Sequence, residues 1–289
     1  MYGANYVVAK GLMPGTIGPN GFIFFRVIGA TILFWILFLL FYFEKVARKD
    51  FGRIAIAALF GVACNQLLFF NGLTLTSPVN APVIMTTTPI LVLILSAIIL
   101  KQKVFALQWV GIVVGAIGSI LLTLLNSGQG YSSGLGDVFI FMNAISYSIY
   151  LILVKPLMVK YKPITVITWV FTFGLIYVCI WPLTMSEVSL IKWEAFDLEK
   201  SLRFLFVIIG VTFVPYLLNI FSMKRLSAYI AAVYIYLQPI LATFFIYVFM
   251  ALGKEDYTGD ITLMKVFSAL LIFCGVYMVI RPSQSSAQK

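Results

Sequence analysis

The sequence predicts an all-α polytopic membrane protein, with ten transmembrane helices arranged as two inverted five-helix repeats. Three observations predict it. First, 62% of the 289 residues are hydrophobic and 10% are charged, with a mean hydropathy of +1.05. A soluble domain sits near about 45–50% apolar and about 25% charged. A water-soluble fold of this length cannot enclose so much apolar surface, which excludes a cytosolic enzyme, a secreted disulfide domain and a disordered tail. Second, the apolar residues fall into ten blocks. At roughly 28 residues for a span and its loop, the length suits ten crossings. Third, the second half of the chain repeats the first.

The blocks run over 1–13, 22–43, 52–75, 79–100 and 106–125. After a Gly/Ser-rich break from Asn126 to Gly136 they continue over 137–159, 164–183, 202–223, 228–252 and 262–280. Each is too apolar for an amphipathic soluble helix, and only a helix satisfies its own backbone at this length in hydrocarbon. The opening block is a stub: ten residues end at Lys10, whereas 19 positions lead from Gly136 to the matching Lys155. The expectation is a start lacking roughly 8–10 residues at 1.5 Å rise each, or else a short helix where the bilayer thins. No basic segment precedes an apolar run, so the first helix is read as its own insertion signal and not as a cleavable signal peptide.

Loop charge sets the orientation. Thirteen of the 20 lysines and arginines follow even-numbered spans: Lys45, Arg48, Lys49 and Arg53; Lys101 and Lys103; Lys155, Lys160 and Lys162; Lys224 and Arg225; Arg281 and Lys289. Lys192, Lys200, Arg203, Lys254 and Lys265 lie on the other side, and Lys10 and Arg26 lie at or inside helices. The positive-inside rule then places both termini in the cytoplasm, and the chain is read as a protein of the cytoplasmic (inner) membrane. The net charge of +10 is accounted for in this way, with the lipid bilayer and not nucleic acid as the partner. The long loop 184–203, with Trp193, reads as an interfacial segment.

The duplication rests on residues 67–91 against 217–241. At an offset of 150, Leu67, Leu68, Ser77, Ala81, Val83, Pro89, Ile90 and Leu91 meet identical residues. Tyr2 and Lys10 match Tyr147 and Lys155 at an offset of 145, and Gly118 matches Gly275 at 157. The units are 1–126 and 134–282. Five spans is an odd number, so the second unit enters the membrane upside down, the arrangement that places a substrate site at the midplane and supplies two related states.

The side-chain inventory narrows the chemistry. There is no histidine, and Cys64, Cys179 and Cys274 stand far apart in apolar runs, without metal-ligand spacing or disulfide context. No catalytic residue, metal or cofactor is expected, and the chain is read as a non-enzyme. None of the ten acids lies in the middle third of a span, which argues against proton antiport through a central carboxylate. Asp137, at the mouth of span six, is the nearest candidate, and its alternative role is a helix N-terminal charge. Lys10, Arg26 and Lys155 either snorkel to headgroups or act as gates for a substrate carboxylate.

The neutral polar residues carry most of the site expectation, because an amide in lipid must face protein or water. They are Asn5 in span one, Asn65, Gln66 and Asn71 in span three, and Asn80 with Thr86, Thr87 and Thr88 in span four. Asn143, Tyr147 and Tyr150 share one face of span six at i, i+4, i+7, Tyr216 and Asn219 lie at i, i+3 in span eight, and Tyr234 and Gln238 at i, i+4 in span nine. The substrate-pathway candidates are therefore Asn5, Lys10, Asn65, Gln66, Thr87, Asn143, Tyr147, Tyr150, Lys155, Tyr216, Asn219, Tyr234 and Gln238. They suit a neutral, aromatic cavity for zwitterions or uncharged metabolites, and interhelical bonding is the other use of such groups. Pro89, Pro215 and Pro239 are hinge candidates, each expected to kink a span and to free the carbonyl four residues earlier. Gly111, Gly115 and Gly118 read as a close helix contact.

The opening Tyr2-Gly3-Ala4-Asn5-Tyr6 with Lys10, the Phe25-Arg26 pair, Pro89 and Pro239, the glycines from Gly111 to Gly118 and at Gly275, and Glu255 resemble the EamA-like family of the drug/metabolite transporter superfamily. Lys101-Gln102-Lys103 departs from the family pattern, having no acid in the first repeat. The resemblance implies a ten-span permease for a small-molecule substrate, often an exporter of amino acids or other small metabolites. A nucleotide-sugar or sugar-phosphate exchanger is the alternative within the class, although it needs more bases at the binding depth. A polytopic membrane enzyme and a channel are the alternatives outside it. Substrate, direction, coupling ion and the choice of monomer or homodimer are not expected from sequence.

Overall fold

A computed structural model describes residues 2–13, 15–99, 105–124, 133–191, 193–225, 235, 237–253 and 261–280, and no strand occurs among them. The helices are α1 (Tyr2–Leu12), α2 (Pro19–Phe41), α3 (Phe51–Ala58), α4 (Cys64–Leu75), α5 (Asn80–Met85), α6 (Thr88–Ile99) and α7 (Ala106–Leu124). They continue as α8 (Gly134–Lys160), α9 (Pro163–Ile180), α10 (Pro182–Ser189), α11 (Leu198–Phe206), α12 (Val214–Arg225), α13 (Leu237–Ala251) and α14 (Leu263–Ile280). Two of these joins are π turns within otherwise continuous helices: Leu59–Ala63 links α3 to α4, and Val207–Phe213 links α11 to α12.

Six helical stretches are long and apolar enough to cross a membrane: Pro19–Phe41, Arg48–Leu75, Asn80–Ile99, Gly134–Lys160, Pro163–Ile180 and Leu198–Ser222. Shorter apolar helices cover Ala106–Gly118, Gln238–Ala251 and Leu263–Val279. Large apolar side chains cover the outside as well as the core, and several polar side chains are buried. Leu40, Phe41, Phe244 and Leu270 are exposed, while Asn20, Arg26, Gln66, Asn80 and Asn143 are buried. An apolar outer belt with the polar side chains turned inward is what a lipid solvent selects, since hydrocarbon offers no hydrogen bonds. The protein is a multi-pass membrane protein. The loop read as interfacial contains α10, a short 3-10 turn at Trp193–Ala195 and the start of α11, and Trp193 is exposed.

Helices α2 and α9 run antiparallel, as their ends show. The Glu187 carboxylate, one helix beyond the end of α9, accepts the backbone N–H groups of Asn20 (2.7 Å) and Gly21 (3.1 Å) at the start of α2. The Glu44 carboxylate, just beyond the end of α2, accepts the Lys162 N–H (2.9 Å) and the Thr165 hydroxyl (2.6 Å) at the start of α9. Each helix N-terminus is thus capped by an acid that follows the other helix. The cap satisfies otherwise orphaned N–H groups and places a negative charge at the positive end of the dipole. Between the ends, Trp35 Nε1 donates to Thr172 Oγ1 at 2.9 Å and Phe34 meets Phe171 at 4.9 Å.

Helices α7 and α14 approach so closely that only glycine fits. A Cβ on Gly111 would lie 2.4 Å from the Gly275 carbonyl oxygen, and one on Gly275 would lie 2.4 Å from the Gly115 nitrogen. The glycine face expected from sequence is this contact. Elsewhere α1 packs on α13, α4 and α6 pack on α8, and α9 packs along the first π turn.

Candidate functional site

A cavity of about 730 Å³ lies among α1, α2, α4, α8, α12 and α13. Its polar lining is Asn5, Tyr6, Arg26, Asn65, Gln66, Asn143, Tyr147, Tyr216, Asn219, Ser222 and Gln238. Phe69, Phe70, Met85, Leu218, Ile235 and Leu241 supply apolar wall. Arg26 is the one formally charged side chain among the described lining residues.

Side chains from different helices bond to one another around this space. Tyr6 donates to Gln238 Oε1 at 2.6 Å, Asn219 Nδ2 to the Tyr147 hydroxyl at 2.9 Å, and Asn143 Nδ2 to the Asn65 carbonyl at 2.6 Å. Tyr216 donates to the Gly61 carbonyl at 3.2 Å and lies 3.4 Å from Asn65 Oδ1. Other polar atoms are left over. Among the described residues, Asn5 Oδ1, Asn143 Oδ1 and both ends of the Gln66 amide are buried without a hydrogen-bond partner. A buried amide without a partner costs about 1–3 kcal/mol. Several such atoms belong to residues that line one cavity, and native proteins seldom leave buried polar groups unpaired.

The first π turn explains part of this geometry. It turns the Phe60 and Gly61 carbonyls toward neighbouring helices, where Ser146 Oγ (2.7 Å) and the Tyr216 hydroxyl bond them. A π turn inside a helix commonly marks a functional site. Gly61 must be glycine, because a Cβ there would come within 2.2 Å of the Tyr150 ring.

Arg26 does not snorkel. It is 4% exposed, its Nε donates to Thr212 Oγ1, and its Cζ stacks 4.6 Å above the Phe70 ring. Lys10 lies apart from the cavity, half-buried, with its Nζ donating to the Thr76 carbonyl. Lys155 is half-buried and outside the lining. Asp137 is buried, also outside the lining, and accepts the Thr76 hydroxyl.

Of the candidates named from sequence, Asn5, Asn65, Gln66, Asn143, Tyr147, Tyr216, Asn219 and Gln238 come together around the cavity. Tyr150 shares the Asn143–Tyr147 face but is packed into the core, with its ring 5.9 Å from that of Tyr147. Thr87 is buried in the break between α5 and α6, bonded to the Ile84 carbonyl. Tyr234 lies outside the described residues.

The prolines differ from expectation in part. Pro89 and Pro239 are the second and third residues of α6 and α13, where proline lacks no bond that the helix requires, whereas Pro215 lies inside a continuous helix, directly after its π turn. The irregularity comes just before: the break at Thr86–Thr87 ahead of Pro89 and the π turn ahead of Pro215. The carbonyl expected to be freed by Pro89, that of Met85, accepts the Thr88 hydroxyl at 2.7 Å. Tyr6, Phe69 and Phe70 join the lining without being among the sequence candidates; Tyr6 stands beside Asn5 in the opening motif, and the two phenylalanines carry no polar signal.

Comparison with known proteins agrees with this architecture. The EamA-like transporter family matches residues 1–124 and 134–281. An uncharacterized transporter of Archaeoglobus fulgidus is 26% identical over 238 residues, covering 82% of this chain and 80% of its own. The uncharacterized transporter YoaV of Bacillus subtilis is 26% identical over 259 residues, covering 87% and 83%. One solved crystal structure shares the fold with a TM-score of 0.64 at 16% identity, covering 96% of this chain and 93% of that one. This chain belongs to the EamA-like transporter family.

Proposed function

We propose that this transporter carries a small amphiphilic zwitterion, an amino acid or a related metabolite, through the central cavity by alternating access, with export as the favoured direction. One observation carries the reading: a buried cation and a set of amides line one cavity whose remaining wall is aromatic and aliphatic, and some of those amides keep atoms without a hydrogen-bond partner. Arg26 suits the carboxylate, because a guanidinium forms paired charge-assisted bonds to it. The oxygens of Asn5, Gln66 and Asn143 suit an ammonium group, which has three donors and needs acceptors. Phe69, Phe70 and Leu218 suit an apolar tail.

In this reading the units 1–126 and 134–282 are antiparallel, the arrangement that alternating access uses. The reciprocal caps of α2 and α9 favour inversion, since each is the second span of its unit. The paired π turns, 148 residues apart at their first positions, favour it as well. In this reading ten spans cross the cytoplasmic membrane with both termini inside. A sugar-phosphate substrate is disfavoured, because one lining cation does not match a dianion. The test is counterflow in proteoliposomes, with the substrate first chosen by a growth-toxicity screen of amino acids and analogues in an overexpressing host. Saturable counterflow is the expected result, and an ohmic current would identify a channel instead.

A further inference from the structure

We infer that Thr212 is a positioning residue for the arginine of the cavity, holding Arg26 in place without cancelling its charge. The inference rests on the reading of Arg26 as the carboxylate-binding group. A guanidinium on a flexible stem binds an anion well only when its plane is fixed beforehand. Two contacts fix it here. The Thr212 hydroxyl accepts from Nε, on the stem side of the group, and the Phe70 ring lies against its face at 4.6 Å.

Thr212 can serve as an acceptor because its hydroxyl hydrogen is already committed. It donates to the Val207 carbonyl at 2.8 Å, five residues back. In an α-helix a threonine hydroxyl reaches the carbonyl three or four residues back; here the π turn Val207–Phe213 brings the fifth into reach. With its only hydrogen spent, the oxygen presents lone pairs to Arg26. A carboxylate in that place would hold the arginine equally well but would neutralise it. A neutral hydroxyl holds it and adds no negative charge beside it.

The other π turn does the corresponding work. The Gly61 carbonyl within Leu59–Ala63 fixes the hydroxyl of Tyr216, a residue of the second half of the chain. Thr212, also in the second half, fixes Arg26 of the first. Each π turn thus braces a cavity residue contributed by the opposite half.

The test is phenylglyoxal labelling of the full chain in proteoliposomes, with the modification of Arg26 followed by peptide mass spectrometry. Arg203, paired with Glu199 at 2.8 Å, is the internal reference. Thr212→Val keeps the shape and removes the hydroxyl, and Arg26 should then react about tenfold faster, the effect of losing one charge-assisted bond. Thr212→Ser should restore the wild-type rate. An unchanged rate in Thr212→Val, no rescue by serine, or a parallel rise at Arg203 would each overturn the inference. Benzoate added as an aromatic monocarboxylate separates the two layers. It should protect Arg26 in the wild type. Labelling that depends on Thr212 but is indifferent to benzoate overturns anion binding by Arg26 and leaves its positioning by Thr212 standing.

Discussion

The helix ends and the central cavity use polar groups in opposite ways. At the ends, acids are saturated. Glu187 takes the first amides of α2, Glu44 takes the Lys162 amide and the Thr165 hydroxyl at the start of α9, and Asp50 accepts both Lys160 and the Tyr161 hydroxyl, the latter at 2.6 Å. In the cavity, the lining is neutral apart from Arg26, and several amide atoms are left over. The ends are built for stability and the cavity retains bonding capacity at a cost in stability. Substitutions should therefore separate the two regions by which measurement they move.

The largest effect is expected from Arg26→Gln, which should lower kcat/KM for a zwitterionic substrate by about 30- to 100-fold, as loss of paired charge-assisted bonds does. Transport of the corresponding amide, which lacks the carboxylate, should change little. Gln66→Met should come next, raising KM by about tenfold. Its melting temperature in detergent should hold or rise, because a buried amide without partners is being replaced by an apolar group. A fall in melting temperature would mean that Gln66 holds the fold together. Glu44→Ala should do the reverse, removing about 1 kcal/mol of stability with the lost cap and leaving KM unchanged. Tyr6→Phe should be mildest: it removes one neutral bond, to Gln238, for about a threefold rise in KM.

Chemistry decides which parts of this architecture are legible in the sequence. The span read at 106–125 is α7 at Ala106–Leu124, and the span read at 137–159 is α8 at Gly134–Lys160, since hydrocarbon thickness fixes length. Asn65, Gln66 and Asn143 are legible because an amide in a span has few places to go. Arg26 is not, since a snorkelling arginine and an interior one look alike in sequence and only packing on Phe70 and Thr212 distinguishes them. Phe69 and Phe70 carry no polar signal within an apolar run. Tyr150 keeps the right helical face yet is lost to the core, because Gly61 opposite makes room for its ring. The π turns leave no periodicity to read, and proline points to irregularity nearby without saying on which side it falls.

The central claim is that the cavity binds substrate and opens alternately to the two faces of the membrane. A chain in which Cys64, Cys179 and Cys274 are replaced by alanine, carrying Ser222→Cys in the cavity wall, tests it with membrane-impermeant maleimide applied from either face. The account predicts labelling from both faces, slowed by the substrate identified in the toxicity screen and shifted in its sidedness by that substrate. Labelling from one face only, at a rate that substrate does not alter, would contradict it.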